Sequence, residues 1–136
     1  MADVVVVDSV RTGLAKSFRG SFNLTRSDDM LAHCIASLLE RNPNVSPEEV
    51  EDVVVGAASH AGEQDGNLAR LAVVLSKLPI TTGGMTINRF CSSGLQSIAI
   101  AANQIASGQT QVAIAGGVDS ISVSYTHLTL PTNREV

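Results

Sequence analysis

Cys91 stands where a predicted strand ends and a predicted helix begins, within the run NRFCSSG. A thiol at that junction lies beside the unpaired N–H groups and the positive end of the helix dipole, and both favour the thiolate over the thiol. A thiolate is a good nucleophile that can carry an acyl group as a thioester. The local pattern leaves a second interpretation open, in which Cys91 is a small buried core residue.

The residues that follow Cys91 suit an acyl substrate. Ser92, Ser93 and Gly94 are small enough to let an acyl group approach the sulfur, and the Cys91 N–H could donate to a developing oxyanion. Spacing identifies no base, because none of the three histidines forms a recognisable dyad with Cys91. We expect His33 on a helix surface, His60 in a solvated loop and His127 in an irregular C-terminal stretch.

Metal, nucleotide and nucleic-acid sites have little support in the sequence. The cysteines, Cys34 and Cys91, and the histidines match no usual metal-ligand spacing, and no glycine-rich phosphate loop occurs. A net charge of −4 without a basic run argues against nucleic acid and anionic membranes as partners. No apolar run is long enough to span a bilayer, and the N-terminus does not resemble a secretory signal. We therefore expect a soluble cytoplasmic protein with reduced thiols.

Strands alternate with helices along the chain, and each helix has an apolar stripe at the 3.6-residue period. The predicted strands cover residues 4–7, 52–56, 85–88 and 111–115. The predicted helices cover residues 27–41, 68–78 and 92–106, with a short helix started by the capping box of Ser46 and Glu49. The alternation predicts an α/β fold, a mostly parallel sheet with helices on both faces.

The apolar stripes predict which side chains face the core, and the glycine pairs predict where elements end. In the second helix the predicted inward residues are Leu68, Leu71, Leu75 and Leu78, with Asn67 as the N-cap. In the third helix they are Leu95, Ile98, Ala102 and Ile105. Cys34 lies within the stripe of the first helix, which predicts core packing, and the Gly83 and Gly116 pairs are predicted to lie outside the strands.

Four motifs in order resemble those of the thiolase family. Residues 88–96 resemble its acyl-accepting cysteine motif, and residues 5–12 resemble its first strand with the Arg-Thr turn. Gly62-Glu63-Gln64 with Asn67 and Ala69-Arg70 resembles the segment before its second main helix. Residues 115–120 resemble its Gly-Gly-x-Glu-Ser stretch, with Asp119 where glutamate is usual. The likeness runs from about residue 3 to residue 122 and is greatest to the degradative acetyl-CoA acyltransferases.

The resemblance implies the N-terminal α/β domain of a thiolase, with Cys91 as its catalytic residue. Cys91 would attack the keto group of a 3-ketoacyl-CoA, release acetyl-CoA and pass the remaining acyl group to free CoA; the reverse reaction is a condensation. Acyl-CoA and CoA would be substrates, and no separate cofactor is implied. A homodimer or a tetramer is also implied, with Arg70 and the strand that precedes Cys91 near the dimer contact.

The chain departs from the family pattern in two motifs that family members carry in their later half. The activating histidine of the family in a Gly-His-Pro setting and its second cysteine in a Cys-x-Gly-Gly-Gly setting have no counterpart here. We therefore expect a truncated form, an N-terminal half that is inactive alone. Residues 1–122 are predicted to form the incomplete domain and residues 123–136 an anomalous tail, non-native or disordered, with a genuine divergent tail as the alternative.

Two other functions remain compatible with the residues. One is a non-catalytic module that binds acyl-CoA or a protein on the same fold. The other is a condensing enzyme of the ketoacyl-synthase kind, which also places a nucleophilic cysteine at such a junction. The Arg-Thr turn at residues 11–12 and the Gly-Glu-Gln segment at residues 62–64 favour a thiolase over a ketoacyl synthase.

Overall fold

A computed structural model of the chain describes residues 3–121. The strands of this part are β1 (Asp52–Gly56), β2 (Gly83–Ile87) and β3 (Ala113–Gly117). Its α-helices are α1 (Ser27–Arg41), α2 (Leu68–Leu75) and α3 (Ser93–Ala106). Short 3-10 helices cover Pro47–Glu49 and Gly62–Gln64. The predicted bounds of α1 and β1 are confirmed without change.

The strands form one parallel sheet in the order β2-β1-β3. β1 lies in the centre, and its five residues pair with five residues on each side, from Asp52 opposite Gly83 and Ala113 to Gly56 opposite Ile87 and Gly117. Parallel neighbours need crossover connections, and helices α2 and α3 lie in those connections. The predicted α/β fold with a parallel sheet is therefore confirmed.

Helices cover both faces of the sheet. Val53 and Val55 of β1 pack with α1 and α2, whereas Gly56 lies on the opposite face against Ser93 of α3. The alternation of side chains along a strand accounts for this division. The main core consists of Leu31, Ile35, Val50, Val53, Val55, Ala57, Leu68, Ala69, Ala72, Val73 and Leu78. The carboxyl ends of the three strands, between these layers, carry the residues around Cys91.

The strand predicted for Val4–Val7 is wrong. These residues have no regular secondary structure, and their side chains are 40% to 81% exposed. β1 is flanked on both sides by β2 and β3, and within residues 3–121 no strand pairs with the N-terminal run. A β-branched run without a hydrogen-bonding neighbour has no ladder to join, so composition alone does not make it a strand.

The predicted inward face of α3 is also wrong. Leu95 is 73% exposed and Ile98 is 48% exposed, whereas the buried residues of the helix are Ser93, Ser97 and Ala101. The helix lies so close to the glycines at the strand ends that only small side chains fit between them. For the second helix the prediction is half right, because Leu68 and Leu78 are buried as predicted, whereas Leu71 and Leu75 are exposed.

The glycine pairs lie inside strands rather than outside them. Gly83 and Gly84 begin β2, and Gly116 and Gly117 end β3. A Cβ at Gly84 would lie 2.8 Å from the Arg70 backbone, so this glycine lets α2 approach the sheet. α2 itself ends at Leu75, before the predicted Leu78, because Lys77 adopts a left-handed conformation with φ of 62°.

Some predictions concern residues at the edge of the core or beyond the described part. Cys34 is half-buried and lines an open cleft beside β3, so it is less enclosed than predicted. Three predictions lie outside the described residues: the boundary at residue 122, the tail 123–136 and the position of His127.

No helix in residues 3–121 has both the length and the apolar character needed to cross a membrane.

Candidate active site around Cys91

Cys91 lies between the end of β2 and the start of α3, at the carboxyl end of the sheet. Its side chain is exposed, so the core interpretation of Cys91 does not hold. Ser92 is the residue that precedes the first turn of α3. Active sites of open parallel sheets gather at this end, where loops from several strands meet. The position predicted from sequence is therefore the position observed.

Side-chain hydrogen bonds shape the turn that holds Cys91. The Asn88 Oδ1 accepts from the Phe90 N–H at 2.8 Å, and the Ser93 Oγ accepts from the Arg89 N–H at 2.8 Å. The Ser93 hydroxyl donates to the Phe90 carbonyl at 2.6 Å. Phe90 has a φ of 49°, a left-handed conformation that a bulky residue adopts only when its surroundings hold it. The residue before Cys91 is thus fixed from both sides.

Glycines seat the first turn of α3 on the strand ends. A Cβ at Gly56 would lie 2.2 Å from the Ser93 carbonyl carbon, and a Cβ at Gly117 would lie 3.2 Å from the Gly94 Cα. The Ser97 hydroxyl donates to the Gly116 carbonyl at 2.7 Å and adds a polar tie. The N-terminal N–H groups of α3 are therefore held at a fixed position beside Cys91.

The loops at the strand ends are joined by buried and exposed polar side chains. The Asp119 carboxylate accepts from the Ala58 N–H at 3.0 Å and from the Ser59 N–H at 3.1 Å. Gln64, fully buried, donates to the Ser59 carbonyl at 2.7 Å and accepts from the Ser120 N–H at 2.5 Å. No local sequence pattern predicts these bonds, although Asp119 and Gln64 both lie in motifs that resemble those of the thiolases.

The histidines and Arg70 have contacts of their own. His33 is exposed on α1, and a ring nitrogen of His60 lies 2.9 Å from the Ala57 carbonyl oxygen. The Arg70 guanidinium donates to the Thr82 carbonyl at 2.5 Å and to the Ile80 carbonyl at 3.1 Å, and so holds the turn that leads into β2. In residues 3–121 no histidine is hydrogen-bonded to Cys91, and no three potential ligands cluster around a metal position.

The chemical capacity of the site follows from this geometry. An exposed thiol stands at the start of a 14-residue helix, whose dipole stabilises negative charge at that end. The Cys91 N–H has no hydrogen-bond acceptor among residues 3–121. The arrangement thus combines an exposed thiol with a helix N-terminus, and within residues 3–121 no general base is hydrogen-bonded to the sulfur.

Comparison with known proteins agrees with the geometry. A family model described as the thiolase N-terminal domain matches residues 4–135. The beta-ketoadipyl-CoA thiolase of Pseudomonas knackmussii is 42% identical over 120 residues, which are 88% of this chain and 30% of that protein. The 3-ketoacyl-CoA thiolase of Vibrio vulnificus is 40% identical over 119 residues, 88% of this chain and 31% of that protein.

A third relative extends the match. The 3-ketoacyl-CoA thiolase of Vibrio cholerae is 40% identical over 128 residues, 93% of this chain and 33% of that protein. The chain spans about a third of the length of the curated relatives it matches. Since the family model covers nearly all of the sequence and the described residues form the expected parallel α/β sheet, the chain belongs to the thiolase family.

Proposed function

We propose that this chain supplies the acyl-accepting cysteine of a thiolase and that Cys91 carries the acyl group as a thioester. The observation that carries the proposal is the exposed Cys91 thiol, held by a hydrogen-bonded turn at the N-terminus of α3. The substrates are 3-ketoacyl-CoA and CoA, in line with the beta-ketoadipyl-CoA and 3-ketoacyl-CoA thiolases that the chain resembles. No separate cofactor takes part.

The reaction has two acyl-transfer steps. The Cys91 thiolate attacks the C3 carbonyl carbon, and the C2–C3 bond breaks as the electron pair moves to C2, which takes a proton to give acetyl-CoA. The thiolate of a second CoA then attacks the Cys91 thioester, and the Cys91 thiolate leaves. The Cys91 N–H can donate a hydrogen bond to the carbonyl oxygen during the attack, when that oxygen gains negative charge.

The proton transfers need groups that residues 3–121 do not place at Cys91. A base must deprotonate the thiols, and an acid must protonate C2, yet no histidine in residues 3–121 is hydrogen-bonded to the sulfur. We therefore propose that the 136-residue chain alone does not catalyse thiolysis.

We also propose a cytoplasmic location for the active enzyme. We propose that it is a homo-oligomer in which the open edge of β2 is the contact between subunits.

Alkylation of Cys91 in the folded and the unfolded chain tests the nucleophile. Iodoacetamide should modify Cys91 roughly three-fold faster in the folded chain at pH 7 than in urea, since the N-terminus of a helix favours the reactive thiolate. Cys34 serves as the internal control, because its half-burial should slow its alkylation in the folded chain. Peptide mass spectrometry measures both cysteines in one sample.

Two results would count against the proposed function. A Cys91 that reacts no faster in the folded chain than in urea would remove the activated nucleophile. Acetoacetyl-CoA cleavage by the purified chain that disappears in Cys91→Ala would contradict the expected inactivity of the chain alone. Saturable acyl-CoA binding that is indifferent to Cys91→Ser would instead support a non-catalytic binding module.

A further inference from the structure

Ala58 connects Asp119 to the turn that holds Cys91. Its N–H donates to the Asp119 Oδ2 at 3.0 Å, and its carbonyl accepts from the Asn88 Nδ2 at 3.1 Å. The other end of the Asn88 amide, Oδ1, accepts from the Phe90 N–H at 2.8 Å. One residue of the loop after β1 therefore joins a carboxylate at the end of β3 to the residue that precedes the nucleophile.

Each atom of the Asn88 amide has one role in this connection. The Oδ1 holds the left-handed Phe90, whose φ is 49°, and the Nδ2 depends on the Ala58 carbonyl for its orientation. If the Ala58 loop moves, the amide loses its donor contact and can rotate. Rotation would release the Phe90 N–H and let the turn sample other conformations, because a non-glycine residue at positive φ is held only by its surroundings.

The Asp119 carboxylate is placed to keep that loop still. Its two oxygens accept from two successive N–H groups, of Ala58 and Ser59, and a charged acceptor forms stronger hydrogen bonds than a neutral one. A second tie comes from Gln64, which binds the Ser59 carbonyl. Because Gln64 also holds the loop, loss of the Asp119 carboxylate should loosen the Ala58 peptide without unfolding the chain.

We propose that Asp119 is a positioning residue for Cys91, which acts through Ala58 and Asn88 to fix the Phe90–Cys91 turn at the N-terminus of α3. The inference rests on the proposed role of Cys91 as nucleophile and adds a residue that touches neither sulfur nor substrate. A fixed turn keeps Cys91 at the N-terminus of α3, a setting that favours a reactive thiolate. A mobile turn spends less time in that geometry, so the Cys91 sulfur should react more slowly.

A double-mutant cycle in the 136-residue chain tests this connection. The variants are Asp119→Asn, Asn88→Ala and their combination, and the readout is the alkylation rate of Cys91 by iodoacetamide from pH 6 to pH 10. Each single variant should lose about two-fold to three-fold in rate at pH 7. The double variant should lose no more than the larger single loss, because both substitutions break the same connection.

The pH dependence separates positioning from a general change in access. A lower thiolate fraction slows alkylation only below the pH at which a free thiol ionises, about 8.5, so the loss should vanish at pH 10. A change in exposure of the sulfur would slow the reaction at every pH. Asp119→Glu keeps a carboxylate and should retain most of the wild-type rate.

Two control variants test whether the loss of an unrelated carboxylate or amide changes the alkylation rate of Cys91. Asp65→Asn removes an exposed carboxylate that accepts only from the neighbouring Gly66 N–H, and Asn103→Ala removes an exposed amide on α3. Both should leave the Cys91 rate unchanged. Urea titration of every variant shows whether its fold is intact at the conditions of the rate measurement.

The outcomes distinguish the two hypotheses. If wild-type Cys91 is no faster when folded than when unfolded, the proposed nucleophile fails, and positioning fails with it. If the wild-type chain shows the acceleration and Asp119→Asn and Asn88→Ala keep it, or if their losses multiply in the double variant, only the positioning role is overturned. Should Asp119→Asn not fold, Asn88→Ala decides alone, because full reactivity of that variant excludes the connection.

Discussion

Val53–Val55 and Val4–Val7 are two runs of the same residue in opposite surroundings. The valines of β1 are at most 1% exposed, whereas those of the N-terminal run are 40% to 81% exposed. β1 has a hydrogen-bonded strand on each side and helices on both faces. The N-terminal run has no strand beside it within residues 3–121.

The difference shows that a β-branched run becomes a strand only where neighbours complete it. The tether of the N-terminal run is Asp8, whose carboxylate accepts from the Arg41 guanidinium at 2.9 Å and from the Asn42 amide at 3.0 Å, both at the end of α1. This contact orders one residue and leaves the valines exposed. Contiguous exposed valines are a surface for self-association, so we expect the chain alone to associate.

A charged residue placed in each valine run should give the largest difference between the two runs. Val55→Asp buries an unpaired carboxylate in the core and should cost about 3–5 kcal/mol, enough to unfold a small domain. Val6→Asp places the same charge in solvent, should change the free energy of unfolding by less than about 0.5 kcal/mol and should reduce self-association. Urea denaturation followed by circular dichroism measures the first effect, and sedimentation velocity measures the second.

The same pair of variants can contradict this account. If Val6→Asp destabilised the chain as much as Val55→Asp, the N-terminal valines would be buried in solution, and the two runs would not differ. Val6→Thr, which keeps the shape of valine, is the control for a change of side-chain volume and should leave both stability and association close to wild type.

The glycine that ends the buried run gives a second, smaller effect. In Gly56→Ala the new Cβ would lie 2.2 Å from the Ser93 carbonyl carbon, so α3 must shift, at a cost of about 1–3 kcal/mol. The matched variant is Gly94→Ala, whose Cβ would meet the Gly117 Cα at 4.0 Å, an ordinary contact. Alanine favours a helix over glycine by about 1 kcal/mol, so Gly94→Ala should not lower stability.

Urea midpoints of the two glycine variants measure this difference. Equal losses in Gly56→Ala and Gly94→Ala would show that the seating of α3 on β1 is looser than the contacts imply. If the alkylation rate of Cys91 falls more in Gly56→Ala than in Gly94→Ala, the position of α3 affects the reactivity of the thiol.

Removal of the Asp8 carboxylate, which ties the exposed valine run to α1, should have the smallest effect on stability. That effect should depend on pH. Hydrogen bonds from Asn42 and from the Ser9 N–H, together with the charge of Arg41, lower the pKa of Asp8. A lowered pKa means that the carboxylate stabilises the folded chain above the ordinary aspartate pKa of about 3.9, and that this contribution is lost as the pH falls through the folded value.

Asp8→Asn should therefore have a slightly lower urea midpoint than wild type at pH 6, and the difference should shrink as the pH falls below about 3.9. Asp3→Asn is the control, because Asp3 is exposed and belongs to neither ion pair of the described residues. A difference between wild type and Asp8→Asn that does not shrink at all below that pH would show that the carboxylate charge does not hold the tether.

Much of the local structure was predictable from neighbouring residues. The bounds of α1, the cap formed by Asn67, whose Oδ1 accepts from the Arg70 N–H at 3.1 Å, and the place of Cys91 between strand and helix are as predicted. Each depends on a short pattern of capping residues or apolar period. The catalytic role of Cys91 and the boundary at residue 122 stay predictions.

The inward faces of the helices were less predictable. The helical period identifies the apolar face of a helix, but it does not show how closely that helix packs against the sheet. The apolar face of α3, with Leu95 and Ile98, points away from the sheet, because glycine-lined strand ends admit only residues such as Ser93 and Ser97. In the sequence, glycine pairs resemble breaks for the same reason, because their use in close approach is visible only when the packed partner is known.

The sequence by itself determined the elements that a few adjacent residues specify: α1, β1, the helix cap at Asn67 and a thiol before a helix. These follow from backbone propensity and capping, which act within a turn or two of chain. Only the tertiary structure decided which valine run is a strand, which face of α3 is buried and how Asp119 reaches the turn of Cys91. Asp119 and Ala58 lie 61 positions apart in the chain, and contacts at that separation exist only once the sheet has brought the strand ends together.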